Sequence, residues 1–201
     1  MVADYSDATL SRLESNGKNT MEYADIAPMM GRLWSPLAAV TSHWQGRDNA
    51  QMAVAISAAS IVPDRPRVIV QLYKTNLSHD MVLSSGAFAL NFLREDQLEL
   101  IGDFGLVSGR DHDKLDGVDR ITGTSGSPLL TDCFGYLDCR VINAMDGGDM
   151  TCFLADVEET RAAGSEAGTG LIVMTSAGEV SAYGAGSRFG LVHDVLGVEP
   201  A

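Results

Sequence analysis

Basic residues are scarce in this chain. Fourteen Lys and Arg stand against 27 Asp and Glu, a net charge of -13, so a duplex phosphate backbone would be repelled unless a local basic patch existed. The densest cluster, Arg65 and Arg67, lies in a proline-flanked turn, and nucleic acid is not expected as a partner. Long apolar runs are missing too. The longest uncharged one, residues 52–63, is too short to cross a bilayer of about 30 Å as a helix. The first thirty residues carry Asp4, Asp7 and Glu14 without a continuous apolar core, which argues against a secretory leader. A cytoplasmic protein with no membrane partner is the expectation. Cysteine is limited to Cys133, Cys139 and Cys152, odd in number and without a CxxC pair. That pattern fits reduced thiols in the core of strands better than a disulfide framework or a zinc site. GxGxxG, GxxxxGKS/T, HExxH and GxSxG are all absent, and His43, His79, His112 and His193 stand far apart without metal-ligand spacing. No metal site is expected, and no catalytic residue is assigned.

What is present is an ordinary globular composition: 201 residues, 45% hydrophobic and 20% charged with six prolines, enough for one core. Residues 1–27 read as a polar arm or short helix, with Ser11 and Glu14 spaced like a capping box. Residues 28–183 form the domain proper and 184–201 a tail. In that tail Arg188, Phe189 and His193 either cover a neighbouring subunit or are simply solvated. Short runs rich in Val, Ile, Ala and Phe, bounded by Gly, Pro, Asn or Asp, predict strands over 37–41, 52–61, 67–73 and 87–93. Leu77, Met81 and Val82 recur at helical spacing ahead of Gly86, which predicts a short helix stopped there. A second helix is predicted over 95–104, with Glu95 and Asp96 at its positive end. Residues 111–127 read as a long loop. Strands follow over 133–142, with Asp138 and Arg140 on the polar face, and over 150–158, joined through Asp146, Gly147 and Gly148. A last hairpin spans 171–175 and 180–183. Mostly antiparallel strands with a few helices imply a closed or partly closed barrel.

Two stretches carry chemistry. Gly46 to Ala50 is a turn entering an apolar strand, and Tyr73 to His79 is a polar loop between a strand and a helix. Hydroxyls, one lysine and the free amides of a helix start make an anion site. The same Thr75, Asn76 and Ser78 would also serve as simple helix caps, and both readings stand at this point.

The order of motifs resembles the flavin reductase-like family of FMN-binding split barrels. Gly46-Arg47-Asp48-Asn49-Ala50 looks like its G-x-x-N-A turn. The run Ser85-Gly86-Ala87-Phe88-Ala89-Leu90-Asn91-Phe92-Leu93 is similar to its S-G-x-F-x-x-N-x-L. Ser108-Gly109-Arg110-Asp111-His112-Asp113-Lys114-Leu115 resembles its S-G-R-D-x-D-K-F, and Pro128-Leu129-Leu130 its P-L-L. The resemblance implies a mainly β fold with flanking helices, a split β-barrel of antiparallel Greek-key type. It implies FMN as cofactor, NADH or NADPH as electron donor, a homodimer, and an oxygenase as a partner the chemistry allows. On its pattern Asn49, Ala50, Gln51, Met52, Ala53, Val54 and Ala55 line the flavin ring. Lys74, Thr75, Asn76, Ser78 and His79 hold the phosphate, and Phe104, Arg110 and Lys114 reach the site or its mate across a dimer.

Three departures stand out. The family's strand after N-A offers hydroxyls, M-T-x-S-S, where this chain has Gln51, Met52, Ala53, Val54 and Ala55. Its G-D-H hairpin ends here in Met150, placed by the resemblance in the substrate pocket; a thioether supplies neither the proton nor the hydrogen bond of an imidazole. One extra residue lies between Ser60 and Pro66. Slow nicotinamide-driven reduction is the consequence expected. Two other functions stay open: a barrel repurposed for a biosynthetic step on flavin or another flat ligand without nicotinamide, and a non-catalytic ligand-binding barrel.

Overall fold

The structure, a computed structural model, describes residues 23–30, 33–60, 62, 64–94, 96–162, 171–175, 180–183 and 191–192. The Ser11–Glu14 spacing and the tail residues Arg188, Phe189 and His193 lie outside them. In chain order the elements are α1 (Tyr23–Met30), β1 (Trp34–Pro36), β2 (Ala38–Trp44), β3 (Arg47–Ala53), β4 (Ile56–Ser60), β5 (Arg67–Tyr73), α2 (Leu77–Ser85), β6 (Ala87–Phe92), α3 (Glu99–Gly105), β7 (Arg120–Thr122), β8 (Pro128–Leu130), β9 (Gly135–Asp146), β10 (Met150–Ala162), β11 (Leu171–Thr175), β12 (Val180–Tyr183) and β13 (Leu191–Val192). Among the described residues no helix is long and apolar enough to cross a membrane.

Seven strands form the main sheet in the order β3-β2-β6-β9-β10-β5-β4, and every pairing is antiparallel. Its two edges are neighbours in sequence, joined only by Val54 and Ala55. The sheet therefore coils until its edges meet through the chain rather than through a ladder, which is the split barrel that the sequence implies. Residues 52–61 do not make the single strand expected of them. The run bends at Val54 and Ala55 as it leaves β2 for β5, and the Ala55 carbonyl accepts from the Gln71 amide at 3.0 Å.

Both faces of the central strands are covered, which explains why β2 opens on Ala38-Ala39-Val40 and β6 on Ala87-Phe88-Ala89-Leu90 without polar alternation. On one side Ala38, Val40, Val70, Leu72, Phe88, Leu90 and Phe153 fill the barrel with Val82 of α2. On the other Ala39, Ala89 and Leu93 pack against Ile101 and Phe104 of α3 and against Leu115, Leu129 and Leu130. Asn91, which resembles the family asparagine, is a buried clasp: its amide donates to Thr41 Oγ1 at 2.9 Å and its carbonyl accepts from the Leu130 amide at 2.8 Å.

Gly86 ends α2 in the left-handed region at φ 68°, its amide on the Val82 carbonyl at 2.9 Å, as the sequence predicts. Likewise the β9–β10 hairpin turns through Gly148 at φ 92°, with the Gly147 amide on the Met150 carbonyl at 2.8 Å. The second helix starts at Glu99 rather than at residue 95. Arg94 forms ion pairs with Asp96 and Asp132, its amide donates to Gln97 Oε1 at 3.0 Å, and Gln97 Nε2 donates to the Asp132 carbonyl at 2.7 Å. Those contacts lock the preceding turn out of the helix. Within the expected loop, residues 120–122 pair with 128–130. Asp138, expected on a polar face, is fully buried under that β7–β8 hairpin. Ser125 donates to it from both amide and hydroxyl, while burial pushes its carboxyl above the usual carboxylate range. Cys139 and Cys152 lie on β9 and β10, but Cys133 is buried in the turn before β9; all three are free thiols.

Candidate functional site

A cleft of about 270 Å³ opens where the N-terminus of α2 meets β3 and the segment after α3. It brings together Asn49, Gln51, Met52, Thr75, Asn76, Ser78, Phe104, Arg110 and Lys114 from the sequence-derived candidates. They come from three separate parts of the chain. Among the described residues its lining contains no aspartate or glutamate, in a chain with a net charge of -13.

The helix start is unsatisfied. Asn76 is extended (φ -86°, ψ 141°) and its side chain makes no cap bond. The Asn76 amide donates to the Tyr73 carbonyl at 3.0 Å and that of His79 to the Asn76 carbonyl at 3.1 Å. Between them the amides of Leu77 and Ser78 have no protein acceptor among the described residues. Ser78 does not cap the helix either; its hydroxyl accepts from Asn49 Nδ2 at 2.7 Å, and both side chains are buried. The simple capping reading of this loop is thereby set aside. Two orphan N–H groups, the positive end of a helix dipole and nearby cations form a cradle for an anion.

The opposite wall is the turn Ser108-Gly109-Arg110. Arg47 Nη2 donates to the Gly109 carbonyl. Arg110 Nη1 donates to the Thr75 carbonyl at 3.0 Å and its Nη2 to Asp80 Oδ2 at 3.1 Å. Gly109 has no room for a side chain, since a Cβ there would sit 1.9 Å from Asn49 Oδ1. Lys114 Nζ donates to the Phe104 carbonyl at 2.7 Å, and burial holds its ammonium below the usual lysine range.

The remaining candidates lie elsewhere. Ala50 and Ala53 are core residues on opposite faces of β3: Ala50 packs in the cluster with Ala39, Leu93 and Phe104, and Ala53 in the cluster with Val40, Val70 and Phe88. Val54 and Ala55 line a separate pocket of about 300 Å³ with Leu33, Ser35, Ile56 and Ser57. Lys74 is paired with Asp146 of the β9–β10 hairpin at 2.6 Å and does not line the cleft. His79, in the first turn of α2, is buried against the barrel, its ring 5.8 Å from that of Phe153. Met150 pairs with Tyr73 at the hairpin end and is likewise outside the cleft lining.

Leu77, Val107, Ser108 and Gly109 line the cleft without having been singled out individually. The serine and glycine stood in the quoted S-G-R motif; Leu77 contributes an amide that no side-chain pattern signals.

Comparisons with known proteins agree with this architecture. A family model described as "Flavin reductase like domain" matches residues 30–179. A ferric-chelate reductase (NAD(P)H) of Archaeoglobus fulgidus is 34% identical over 119 residues, 58% of this chain and 69% of its own. The reductase subunit HsaB of a flavin-dependent monooxygenase from Rhodococcus jostii is 31% identical over 143 residues, 70% of this chain and 71% of its own. A high molecular weight rubredoxin of Moorella thermoacetica is 33% identical over 60% of this chain, which spans 52% of that protein's length. Among solved structures, an NADH:FAD oxidoreductase of Streptomyces globisporus superposes with a TM-score of 0.71 at 21% identity, covering 84% of this chain and 98% of its own. This chain belongs to the flavin reductase-like family.

Proposed function

We propose that the chain binds FMN and works as a flavin reductase or flavin-mediated electron carrier drawing on NADH or NADPH. The observation that carries this is the cleft at the α2 N-terminus: among the described residues its lining holds no carboxylate, the amides of Leu77 and Ser78 have no protein acceptor, and Arg110 and Lys114 share the lining with them. Relatives whose names describe reductase components of monooxygenases support an oxygenase as the recipient of the reduced flavin. The split edges of the barrel support a homodimer that covers them, and the absence of long apolar helices among the described residues is consistent with a cytoplasmic setting.

The residues fit the group. The amides of Leu77 and Ser78, with Arg110, would hold the phosphate. Gln51 and Met52 lead along β3 towards the apolar pocket at Val54 and Ala55, which suits a flat ring. Bound flavin supplies the hydride chemistry; the protein's share is to bind, orient and exclude water. Purified protein titrated with FMN should show saturable flavin perturbation, and NADH should be oxidised only when FMN is present. Turnover should be low beside family members with the hairpin histidine, since Met150 cannot act as a general acid worth about 10²–10⁴-fold. No saturable FMN binding would overturn the reading.

The Lys114 ammonium gives a pH signature. Affinity should rise as pH climbs through about 6, where a phosphate monoester gains its second charge. It should then fall as Lys114 loses its proton. Because burial lowers that pKa, the fall should come below the ordinary lysine value of about 10.4. Lys114→Met should remove the alkaline fall and weaken plateau affinity about tenfold, within the range for a charged hydrogen bond. An alkaline limb identical in native and Lys114→Met protein would take Lys114 out of the site.

A further inference from the structure

A row of polar contacts runs from the barrel wall to the rim of the cleft. His79, 5% exposed on the first turn of α2, has Nε2 2.9 Å from Thr151 Oγ1 on β10 and Nδ1 3.2 Å from Asp80 Oδ1. Asp80 Oδ2 accepts from Arg110 Nη2, whose other arm reaches the Thr75 carbonyl. A carboxylate can only accept, so Nδ1 carries the proton toward Asp80, and Nε2 shares a hydrogen bond with the Thr151 hydroxyl. The Asp80–Arg110 pair is exposed, and such a pair alone contributes little. What distinguishes it is that Asp80 is held from below by a buried imidazole which is itself pinned to the sheet.

We propose that His79 is a positioning residue of the cleft: through Asp80 it fixes Arg110, and so closes the turn at residues 108–110 over the open amides of α2. Flavin then meets a preformed site rather than a mobile rim, and the cost of ordering the turn on binding is avoided. This rests on the reading of the cleft as the flavin phosphate site.

The test uses the whole chain in native form and as His79→Phe, Asp80→Ala and the double variant. His79→Phe keeps a ring against Phe153 and ends both hydrogen bonds; Asp80→Ala changes an exposed side chain and keeps the test open should the first variant not fold. In ligand-free protein the amides of Asp111 and His112, which close this turn onto the Ser108 carbonyl, should exchange about tenfold faster in each single variant, and no faster in the double. FMN should bind about tenfold more weakly in each, with kcat at saturating FMN unchanged. Imidazole ¹⁵N spectra of native protein should show the Nδ1-protonated form, and the His79 signals should move on Arg110→Ala although the two side chains do not touch. Unchanged exchange in Asp80→Ala, additive effects in the double variant, or faster exchange with unaltered FMN affinity would each overturn the proposal. Failure of native protein to bind FMN would overturn the flavin reading and this role with it, and the ligand-free exchange data would tell that failure apart from a rim that was never latched.

Discussion

Replacing Leu77 with proline should weaken FMN binding by about 10- to 100-fold while leaving α2 intact. Leu77 is the first residue of the helix, the position proline favours because its N–H has no intrahelical acceptor there and its fixed φ suits a helix start. The preceding residue, Asn76, is already extended at ψ 141°, which is the conformation a following proline demands. The substitution therefore removes one cradle amide with little other disturbance. A hydrogen bond to a charged group contributes about 1.5–3 kcal/mol, and that sets the expected loss. Leu77→Ala is the control: it also removes the side chain that lines the cleft but keeps the amide. Equal FMN dissociation constants for the two variants would show that this amide takes no part in binding.

Gly109→Ala should damage site and stability together. The added Cβ would meet Asn49 Oδ1 at 1.9 Å and Cγ at 2.9 Å, with Leu77 Cδ2 at 3.3 Å. Asn49 is 3% exposed and its amide is committed to Ser78, so it cannot swing aside without breaking that bond. The alternative is for the turn to lift, which undoes the Arg47 and Arg110 contacts. Overpacking of this kind costs about 1–3 kcal/mol, or about 2–4 °C of melting temperature per kcal/mol for a chain of this size. FMN affinity should fall by at least tenfold. Gly102→Ala, on α3 with nothing within 4 Å of its Cβ, should leave both unchanged or raise stability slightly. A Gly109→Ala protein with native melting temperature and FMN affinity would show that the turn adapts freely.

Much of this architecture is legible in local sequence. The stop at Gly86, the turn through Gly147 and Gly148 and the apolar runs of β2, β5 and β6 depend on residues next to one another, and such signals survive folding. What escapes is what depends on distance. The bend at Val54 and Ala55 arises because one run must serve two partners, β2 and β5, and nothing in an apolar stretch announces a change of neighbour. Asp138 reads as a surface residue until the β7–β8 hairpin folds over it and Ser125 satisfies it. Lys74 looked like the phosphate cation of its loop, yet Asp146, 72 residues away, takes its ammonium. The charge at the cleft falls instead to Arg110 and Lys114, brought in by the segment after α3. Motif order pointed to those two, whereas the Gly109 contact with Asn49 and the open amides of Leu77 and Ser78 are properties of backbone placement alone.

The central claim is that the α2 N-terminus holds the flavin through its phosphate. Parallel titrations of the native protein with FMN and with riboflavin, which differ only in that group, test it most directly. The account predicts FMN binding at least 100-fold tighter, about 2.7 kcal/mol, with Leu77→Pro erasing most of the difference. Equal affinities for the two flavins, unaffected by Leu77→Pro, would contradict it.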